Sequence, residues 1–181
     1  MLKLVSLKAS LNWGLSEKLK EAFPGIIPAI RPPVLSTEIK DINWLRGFAE
    51  GEGCFQVVIQ KYKDKTSVSL RFTLTQHSRD KVLMGSLVNY LGCGRYYSSP
   101  TREEVYFIVS TFSDISNIII PLFHKYPLLG YKQQDFLNFV KVAELIKCKD
   151  HLTKEGLAEI NTIKSSMNSR RSDSASNNEA E

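Results

Sequence analysis

Apolar and polar residues alternate in two stretches near the middle of the chain. In residues 54–61 and 67–76, Phe, Val, Ile and Leu recur at every second position, with mainly polar residues between them. This period of two is typical of strands with one buried face. A basic loop, residues 62–66, separates them, so the pattern predicts a β-hairpin. The same period returns in residues 95–99 and 104–111 and predicts a second hairpin.

Helical spacing surrounds the hairpins. Residues 41–53 predict a helix whose final glycines allow a left-handed exit, and Ser78 caps a helix that stops at residues 92–94. Further helices are predicted from about residue 114 to 132 with an interruption at Pro121, from 134 to 147, and from 153 to 167. The order predicts an α+β fold, in which a four-stranded antiparallel sheet has helices on one face and a polar opposite face.

Two six-residue segments resemble each other. Residues 7–12 read LKASLN and residues 163–168 read IKSSMN; we call them the N-terminal and C-terminal hexamers. If they end equivalent units, residues 1–35 are the remnant of a preceding repeat with its linker, and residues 36–168 form one unit. The alternative for residues 13–35 is an N-terminal arm of the same domain. Residues 169–181 are polar and predict a disordered tail.

Composition and charge favour a polyanionic partner. The chain of 181 residues has a formal charge of +5, and residues 56–76 hold Lys61, Lys63, Lys65 and Arg71 against one acid. Its 3 cysteines have no metal-binding spacing, which indicates free thiols in a reducing compartment. No apolar run approaches the ~20 residues of a membrane span, so no membrane partner is expected.

The stretch WLRGFAEGEGCF, residues 44–55, has three unusual features. Gly47 and Gly51 share one helix face, and interior glycine costs about 1 kcal/mol, so they predict close approach of another helix. Glu52 lies at the helix C-terminus, where the dipole disfavours a carboxylate. Two paired helices would bring two such carboxylates together, and a divalent cation would relieve the repulsion. The alternative is packing on a neighbouring domain, with Glu52 solvated.

The side of the sheet away from the helices carries a candidate DNA surface. Polar side chains at every second position suit the DNA major groove, and hairpin lysines suit phosphates. A solvated sheet face is the alternative, against which Val58 and Ile108 count. We call the following set the outer face: Gln56, Val58, Gln60, Lys61, Lys63, Lys65, Ser67, Ser69, Arg71, Thr73, Thr75, Arg95, Tyr97, Tyr106, Ile108 and Ser110.

The stretch WLRGFAEGEGCF resembles the LAGLIDADG motif of the homing endonucleases, and residues 41–168 resemble that family's αββαββα unit. The segments LTQH (74–77), YLGCG (90–94), GYKQQDF (130–136) and HLT (151–153) support the resemblance. It is closest to the monomeric branch, whose two units share one chain and which is commonly encoded in fungal mitochondrial introns. Residues 7–28 resemble that branch's linker.

The resemblance implies Mg²⁺-dependent, sequence-specific cleavage of both DNA strands, and a mitochondrial location. Glu52 and the Gly51 carbonyl would hold the Mg²⁺, while Gln76 and Lys132 would position water and stabilise charge. Their alternatives are a strand-end amide bonded to backbone and a surface lysine. Glu50 faces about 200° away from Glu52 on a helix, and we assign it no catalytic role.

A single motif supplies half of the active site that the resemblance implies. The expected partners are therefore double-stranded DNA and a second LAGLIDADG unit, from a homodimer or from a missing N-terminal half. Three hypotheses follow: a nuclease half acting in a pair, a non-cleaving DNA-binding or intron-RNA maturase module, and a truncated inactive half.

Overall fold

The centre of the fold is a four-stranded antiparallel sheet of order β1-β2-β4-β3. Its strands are β1 (Gly53–Tyr62), β2 (Lys65–His77), β3 (Arg95–Ser98) and β4 (Glu104–Val109). The computed structural model describes residues 1–11, 13–31, 38–39, 41–63 and 65–168. The predicted α+β fold is confirmed. The predicted tail, residues 169–181, lies outside the described residues.

The inner face of the sheet is covered by helices and holds the core. Its strand residues alternate buried and less buried along β4 and in the first half of β1, as the period of two predicts. Five phenylalanines from β1, β2 and two helices cluster at the centre, with ring centroids 5.0 to 5.8 Å apart. They are Phe55, Phe72, Phe123, Phe136 and Phe139. Burying several large aromatic side chains supplies much of the drive to fold.

From residue 41 onward, the α-helices of the described residues are α3 to α8. They are α3 (Ile42–Glu52), α4 (Lys81–Leu91), α5 (Phe112–Asp114), α6 (Ile120–Lys125), α7 (Tyr131–Lys147) and α8 (Lys154–Ser165), with one π-helical segment, Ile115–Ile119. Gly92 ends α4 in the left-handed region, with φ of 66°, which glycine tolerates without strain.

One helix prediction is wrong. The segment beginning near residue 114 does not reach Lys132, because α6 ends at Lys125 and α7 begins at Tyr131. Tyr126 precedes Pro127, and a residue before proline is disfavoured in helical conformation. Pro121 lies in the first turn of α6, where its missing N–H is tolerated. Lys132 therefore belongs to the first turn of α7.

The second hairpin is shorter than predicted. Strand β3 ends at Ser98 and β4 ends at Val109. Ser99 instead caps the turn, because its hydroxyl accepts the amide of Arg102 at 3.1 Å. Ser110 lies one residue past β4 and is exposed, so the sheet register does not place it on the outer face.

The chain divides into two compact units, Met1–Ser36 and Thr37–Glu181. The first contains α1 (Leu2–Ala9) and α2 (Glu17–Ala22). Its backbone closes on itself, because the Ala29 amide donates to the Ser6 carbonyl at 3.0 Å. Among the helices that the structure describes, none has the length and apolarity of a membrane span.

Candidate active site and nucleic-acid interface

Glu52 is the last residue of α3, and its side chain is exposed at one end of the sheet. The chain passes directly from α3 into β1 at Gly53, whose φ of −74° and ψ of 146° are extended. The predicted left-handed exit is therefore wrong. Glycine is needed here for another reason: a Cβ on Gly53 would overlap the carbonyl oxygen of Ala49.

The two motif glycines lie on an open surface. Gly47 and Gly51 are both exposed, and in the described part of the chain a Cβ on either would meet no atom within 4 Å. Trp44, 42% exposed, stacks on Phe48 on this helix, with ring centroids 5.0 Å apart. The predicted close approach of a second helix is thus not made among the residues that the structure describes, and it stays a prediction.

Lys132 reaches the carboxylate end of α3 from the first turn of α7. Its ammonium donates to the carbonyl of Gly51 at 3.3 Å and to that of Gly53 at 2.5 Å. The side chain is half-buried, unlike the freely solvated surface lysine that was the alternative. A positive charge accordingly lies beside Gly51, the carbonyl predicted to bind a cation.

Gln76 lies at the same end of the sheet. It follows Leu74, the partner of Gly53, by two residues in β2, and pairs with Val105 of β4. Its side-chain oxygen accepts the backbone amide of His77 at 3.0 Å. This is the contact expected of the structural alternative, a strand-end amide bonded to backbone, so its catalytic role stays a prediction.

Glu50 makes a contact that the sequence pattern does not predict. Its two carboxylate oxygens accept the backbone amides of Leu129 at 3.0 Å and Gly130 at 2.9 Å. These amides immediately precede α7, the helix that carries Lys132. We call the contacts of Glu50 with these amides and of Lys132 with the Gly51 and Gly53 carbonyls the α3–α7 junction. Spacing along α3 alone could not reveal a partner some 80 residues away.

The strand register brings the outer-face residues of the four strands together. Cys54, Thr73, Ile108 and Arg95 lie in one row across the sheet, and Thr75, Tyr106 and Tyr97 lie in the next. On the other side of the first row, three pairs extend toward the hairpin loop: Gln56 with Arg71, Val58 with Ser69, and Gln60 with Ser67. Lys61, Lys63 and Lys65 are exposed around that loop.

Two outer-face side chains contain buried polar atoms without partners. Among the described residues, neither Arg71 Nε nor Thr73 Oγ1 has a hydrogen-bond partner. Buried polar groups in folded proteins are nearly always paired, and an unpaired group costs free energy. These two atoms therefore cost free energy in the chain as it stands.

An acidic side chain, which the sequence pattern does not predict to be part of the site, also lies beside the outer face. Glu104 accepts the hydroxyl of Tyr106 and lies 3.8 Å from the Arg102 guanidinium. The hydrogen bond to Glu104, together with desolvation, raises the pKa of Tyr106 above its ordinary value. The Tyr106 ring also lies 5.9 Å from that of Tyr97. Tyr106 is thus held in a fixed orientation before any ligand binds.

The C-terminal hexamer ends against β1. Asn168, with φ of 57°, donates through its side chain to the Phe55 carbonyl at 3.1 Å and through its backbone to Asp135 at 2.9 Å. Its side-chain oxygen lies 3.5 Å from Cys54 Sγ. Desolvation by burial raises the pKa of Cys54. This arrangement attaches the end of α8 to the strand that follows Glu52.

The two hexamers have the same local structure where both are described. Position three of each is the last residue of a helix, and position four is its C-cap. In each the C-cap serine donates through its hydroxyl to the carbonyl three residues earlier: Ser10 to Leu7 at 2.7 Å and Ser166 to Ile163 at 2.8 Å. The resemblance between the hexamers is therefore structural as well as sequential.

A family model for the LAGLIDADG endonucleases matches residues 45–143. The chain belongs to the LAGLIDADG endonuclease family. Among curated relatives, probable intron-encoded endonucleases 2 and 3 of Neurospora crassa are 39% and 37% identical to it. The similarities cover 88% and 89% of this chain but 37% and 31% of those proteins. The chain thus spans about a third of the length of these relatives.

Solved LAGLIDADG structures share the fold. The homing endonuclease I-SmaMI, solved bound to cleaved DNA, is 43% identical with a TM-score of 0.87, over 94% of this chain and 58% of that one. The homing endonuclease I-GzeII, solved with its DNA target, is 42% identical with a TM-score of 0.84, over 94% and 58%. I-SmaMI has also been solved on an uncleaved DNA target in the presence of calcium ions.

Proposed function

We propose that this chain is one unit of a sequence-specific DNA endonuclease that cuts both strands when paired with a second LAGLIDADG unit. The observation that carries the proposal is the grouping at the end of α3. Glu52 and the Gly51 carbonyl lie at the end of the sheet, and the Lys132 ammonium lies 3.3 Å from that carbonyl. Relatives in the same family are named as endonucleases, and I-SmaMI has been solved on cleaved DNA.

The residues at the end of α3 fit a divalent cation. A carboxylate from Glu52 and a carbonyl from Gly51 are hard oxygen donors of the kind that Mg²⁺ prefers, and both residues are exposed. The Lys132 ammonium donates to the same carbonyl, which supports its use as an acceptor for positive charge. When bound, Mg²⁺ would neutralise the scissile phosphate and lower the pKa of a water. Lys132 would add positive charge beside that phosphate, and Gln76 would orient the water.

The outer face is the proposed DNA-binding surface. Its polar side chains, including Gln56, Ser69 and Thr75, offer donors and acceptors to base edges in the major groove. Lys61, Lys63 and Lys65 offer charge to phosphates, which adds affinity without sequence information.

The proposed second unit would cover the open glycine surface of α3. Gly47 and Gly51 leave room for the backbone of another helix, with Trp44 beside them. In the first unit, four leucines of α1 and the residues just after it are 52% to 70% exposed: Leu2, Leu4, Leu7 and Leu11. Such apolar exposure fits the remnant of a preceding repeat, whose sheet and helices would cover these leucines.

The names of two further relatives support a proposal about where the chain is encoded. One protein of Podospora anserina, 30% identical over 116 residues, is named for ND4 intron 1, and one of Schizosaccharomyces pombe, 33% identical over 100 residues, for Cox1-I1b. These names support the proposal that the chain is encoded in a mitochondrial intron and acts in mitochondria.

The test of the proposed function first identifies a DNA sequence that the chain binds. The full chain is incubated with a randomised duplex library, the bound duplexes are sequenced, and the selected half-site is arranged as a palindrome so that two copies can bind. We expect Mg²⁺-dependent cleavage of both strands by the unaltered chain. Glu52→Gln should bind the same duplex and leave it intact. Glu144→Gln, which makes the same change on an exposed residue of α7, should cut normally.

Two results would overturn the proposal. A monomer that binds the selected duplex and never nicks it would show a DNA-binding module without nuclease activity. Binding to intron RNA that exceeds DNA binding at matched salt would favour the maturase hypothesis.

A further inference from the structure

Glu50 bonds the residues that begin α7. One carboxylate oxygen accepts the Leu129 amide and the other accepts the Gly130 amide, at 3.0 and 2.9 Å. The preceding amide, of Leu128, donates to the side chain of Gln133 at 3.1 Å. Three consecutive backbone amides thus find side-chain acceptors, and Glu50 supplies two of these from a different helix.

The location of the carboxylate suits its charge. The N-cap of α7 is Gly130, which has no side chain with which to cap the helix. A helix N-terminus carries unpaired amides and a partial positive charge, so a carboxylate placed there forms charge-assisted hydrogen bonds. Glu50 therefore places a carboxylate at the start of α7, bonded to the amide of the N-cap residue Gly130 and to the amide before it.

Gly130 also makes room for Glu50. Its φ of −101° and ψ of −160° are open to any residue, so its backbone does not require glycine. A Cβ at this position would instead lie 2.5 Å from Glu50 Oε1. A side chain here would force the carboxylate away from the amides.

The same two segments are joined a second time through Lys132. Lys132 lies two residues after Gly130, and its ammonium returns to the carbonyls of Gly51 and Gly53, on either side of Glu52. Glu50 fixes the start of α7 against α3, and the start of α7 fixes where Lys132 can reach. We infer that Glu50 is a positioning residue, which holds Lys132 beside Glu52 through the α3–α7 junction. This inference rests on the proposed function for its catalytic consequence, and its geometric part can be measured independently.

The first measurement reads the junction without any cleavage. In Glu50→Gln, one acceptor oxygen becomes an amide group that cannot accept a hydrogen bond. Hydrogen exchange at the Leu129 and Gly130 amides should quicken by about tenfold or more, since a charge-assisted bond is lost. The carbonyl carbon resonance of Gly53 should move toward its position in Lys132→Met, the reference for a released carbonyl. Glu144→Gln is the matched control and should change neither reading.

A second variant opens the junction without altering a charge. Gly130→Ala places a methyl group against Glu50 Oε1 and should give the same exchange and resonance changes. Gly85→Ala is its control, because a Cβ there meets no atom within 4 Å in the described part of the chain. Combining Glu50→Gln with Gly130→Ala should add little to either alone, since both break one contact.

The catalytic consequence is measured as the rate of cleavage of the duplex selected from the library. Both junction variants should lower the single-turnover cleavage rate by roughly ten- to a hundredfold, because a small displacement of a charged group is costly at a reacting centre. Their DNA dissociation constants should stay within about twofold of the unaltered chain, which separates positioning from binding.

Each contrary outcome is distinct. If Gly53 keeps its resonance in Glu50→Gln and Gly130→Ala, Glu50 does not position Lys132, and the inference is wrong whether or not the chain cuts DNA. If the junction opens and the cleavage rate is unchanged, the positioning role is wrong although the nuclease function stands. If the unaltered chain fails to cut but the junction readings change as expected, the proposed function fails while the geometric part of the inference holds.

Discussion

The two sides of α3 differ in what covers them. On one side Glu50 is bonded to two backbone amides of the loop before α7, and Lys132 returns to the carbonyls around Glu52. On the other side Gly47 and Gly51 are exposed, and Glu52 itself is exposed at the helix end. The chain thus supplies contacts on one side of α3, while the side that carries Gly47 and Gly51 stays open in the described part of the chain.

The two hexamers also differ in how much of their apolar side chains is buried. Each ends a helix with the same serine hydrogen bond. Yet Met167 of the C-terminal hexamer is 2% exposed, whereas Leu11 at the matching position is 56% exposed. Local sequence sets how each helix ends, and only a neighbouring sheet decides whether the following apolar residue is buried.

The largest expected effect comes from truncating Met167, the buried residue of the two. Met167→Ala should lower the free energy of unfolding by about 2–4 kcal/mol, because a fully buried side chain is lost and a cavity remains. Leu11→Ala should change it by less than about 0.5 kcal/mol, as expected of an exposed site. Urea unfolding of both variants checks the difference. Equal losses would show that Leu11 is already packed in this chain.

The motif glycines allow a second test of the covered and open sides. Gly53→Ala should destabilise the chain by about 1–3 kcal/mol, because its Cβ would overlap the Ala49 carbonyl. Gly47→Ala should instead stabilise the isolated chain by roughly 0.5–1 kcal/mol, since alanine favours helix and the surface is open. The same Gly47→Ala change should weaken pairing, measured by sedimentation. Unaltered pairing would place the second unit elsewhere.

Much of the fold could be predicted because local patterns encode it. The period of two located all four strands, and Gly92 marked the end of α4 through its left-handed backbone. The predictions were wrong where a tertiary contact, and not the local sequence pattern, determines the structure. The end of α3 required glycine because Ala49 is close to Gly53, and not because of an unusual backbone angle.

The candidate site was less predictable than the fold. Glu52, Gly51 and Lys132 were named from the motif resemblance, and the structure brings them together. The angle of Glu50 on the helix indicates only that its side chain does not point in the same direction as that of Glu52. Its partners, Leu129 and Gly130, are adjacent only once α7 has packed on the sheet, and nothing in the local pattern of α3 identifies them.

Cysteine alkylation compares the thiol of Cys54 in β1, which lies against the end of α8, with the exposed thiol of Cys148. Burial raises the pKa of Cys54, so less of it is thiolate near neutral pH, and its Sγ lies against Asn168. Cys148 is exposed. Alkylation followed by mass spectrometry should show Cys148 reacting about tenfold faster or more, because the thiolate is the nucleophile. Comparable rates would mean that the end of α8 does not cover β1.

The smallest expected effect concerns the hairpin loop. Lys63→Ala should weaken DNA binding by a few-fold at any sequence and reduce the slope of log affinity against log salt by about 1, the signature of one phosphate contact. Lys141→Ala, on an exposed position of α7, removes the same charge away from the outer face and should leave the slope unchanged. Equal effects of both variants would indicate diffuse charge attraction instead of an outer-face interface.

The most direct test of the central claim is strand-resolved cleavage by paired units with and without Glu52. Two unaltered copies on the palindromic duplex should cut both strands in Mg²⁺. A mixed pair, in which one copy carries Glu52→Gln, should cut one strand, and two altered copies should bind the duplex and cut neither. Cleavage of both strands by the doubly altered pair would contradict the assignment of Glu52 as the carboxylate of the site.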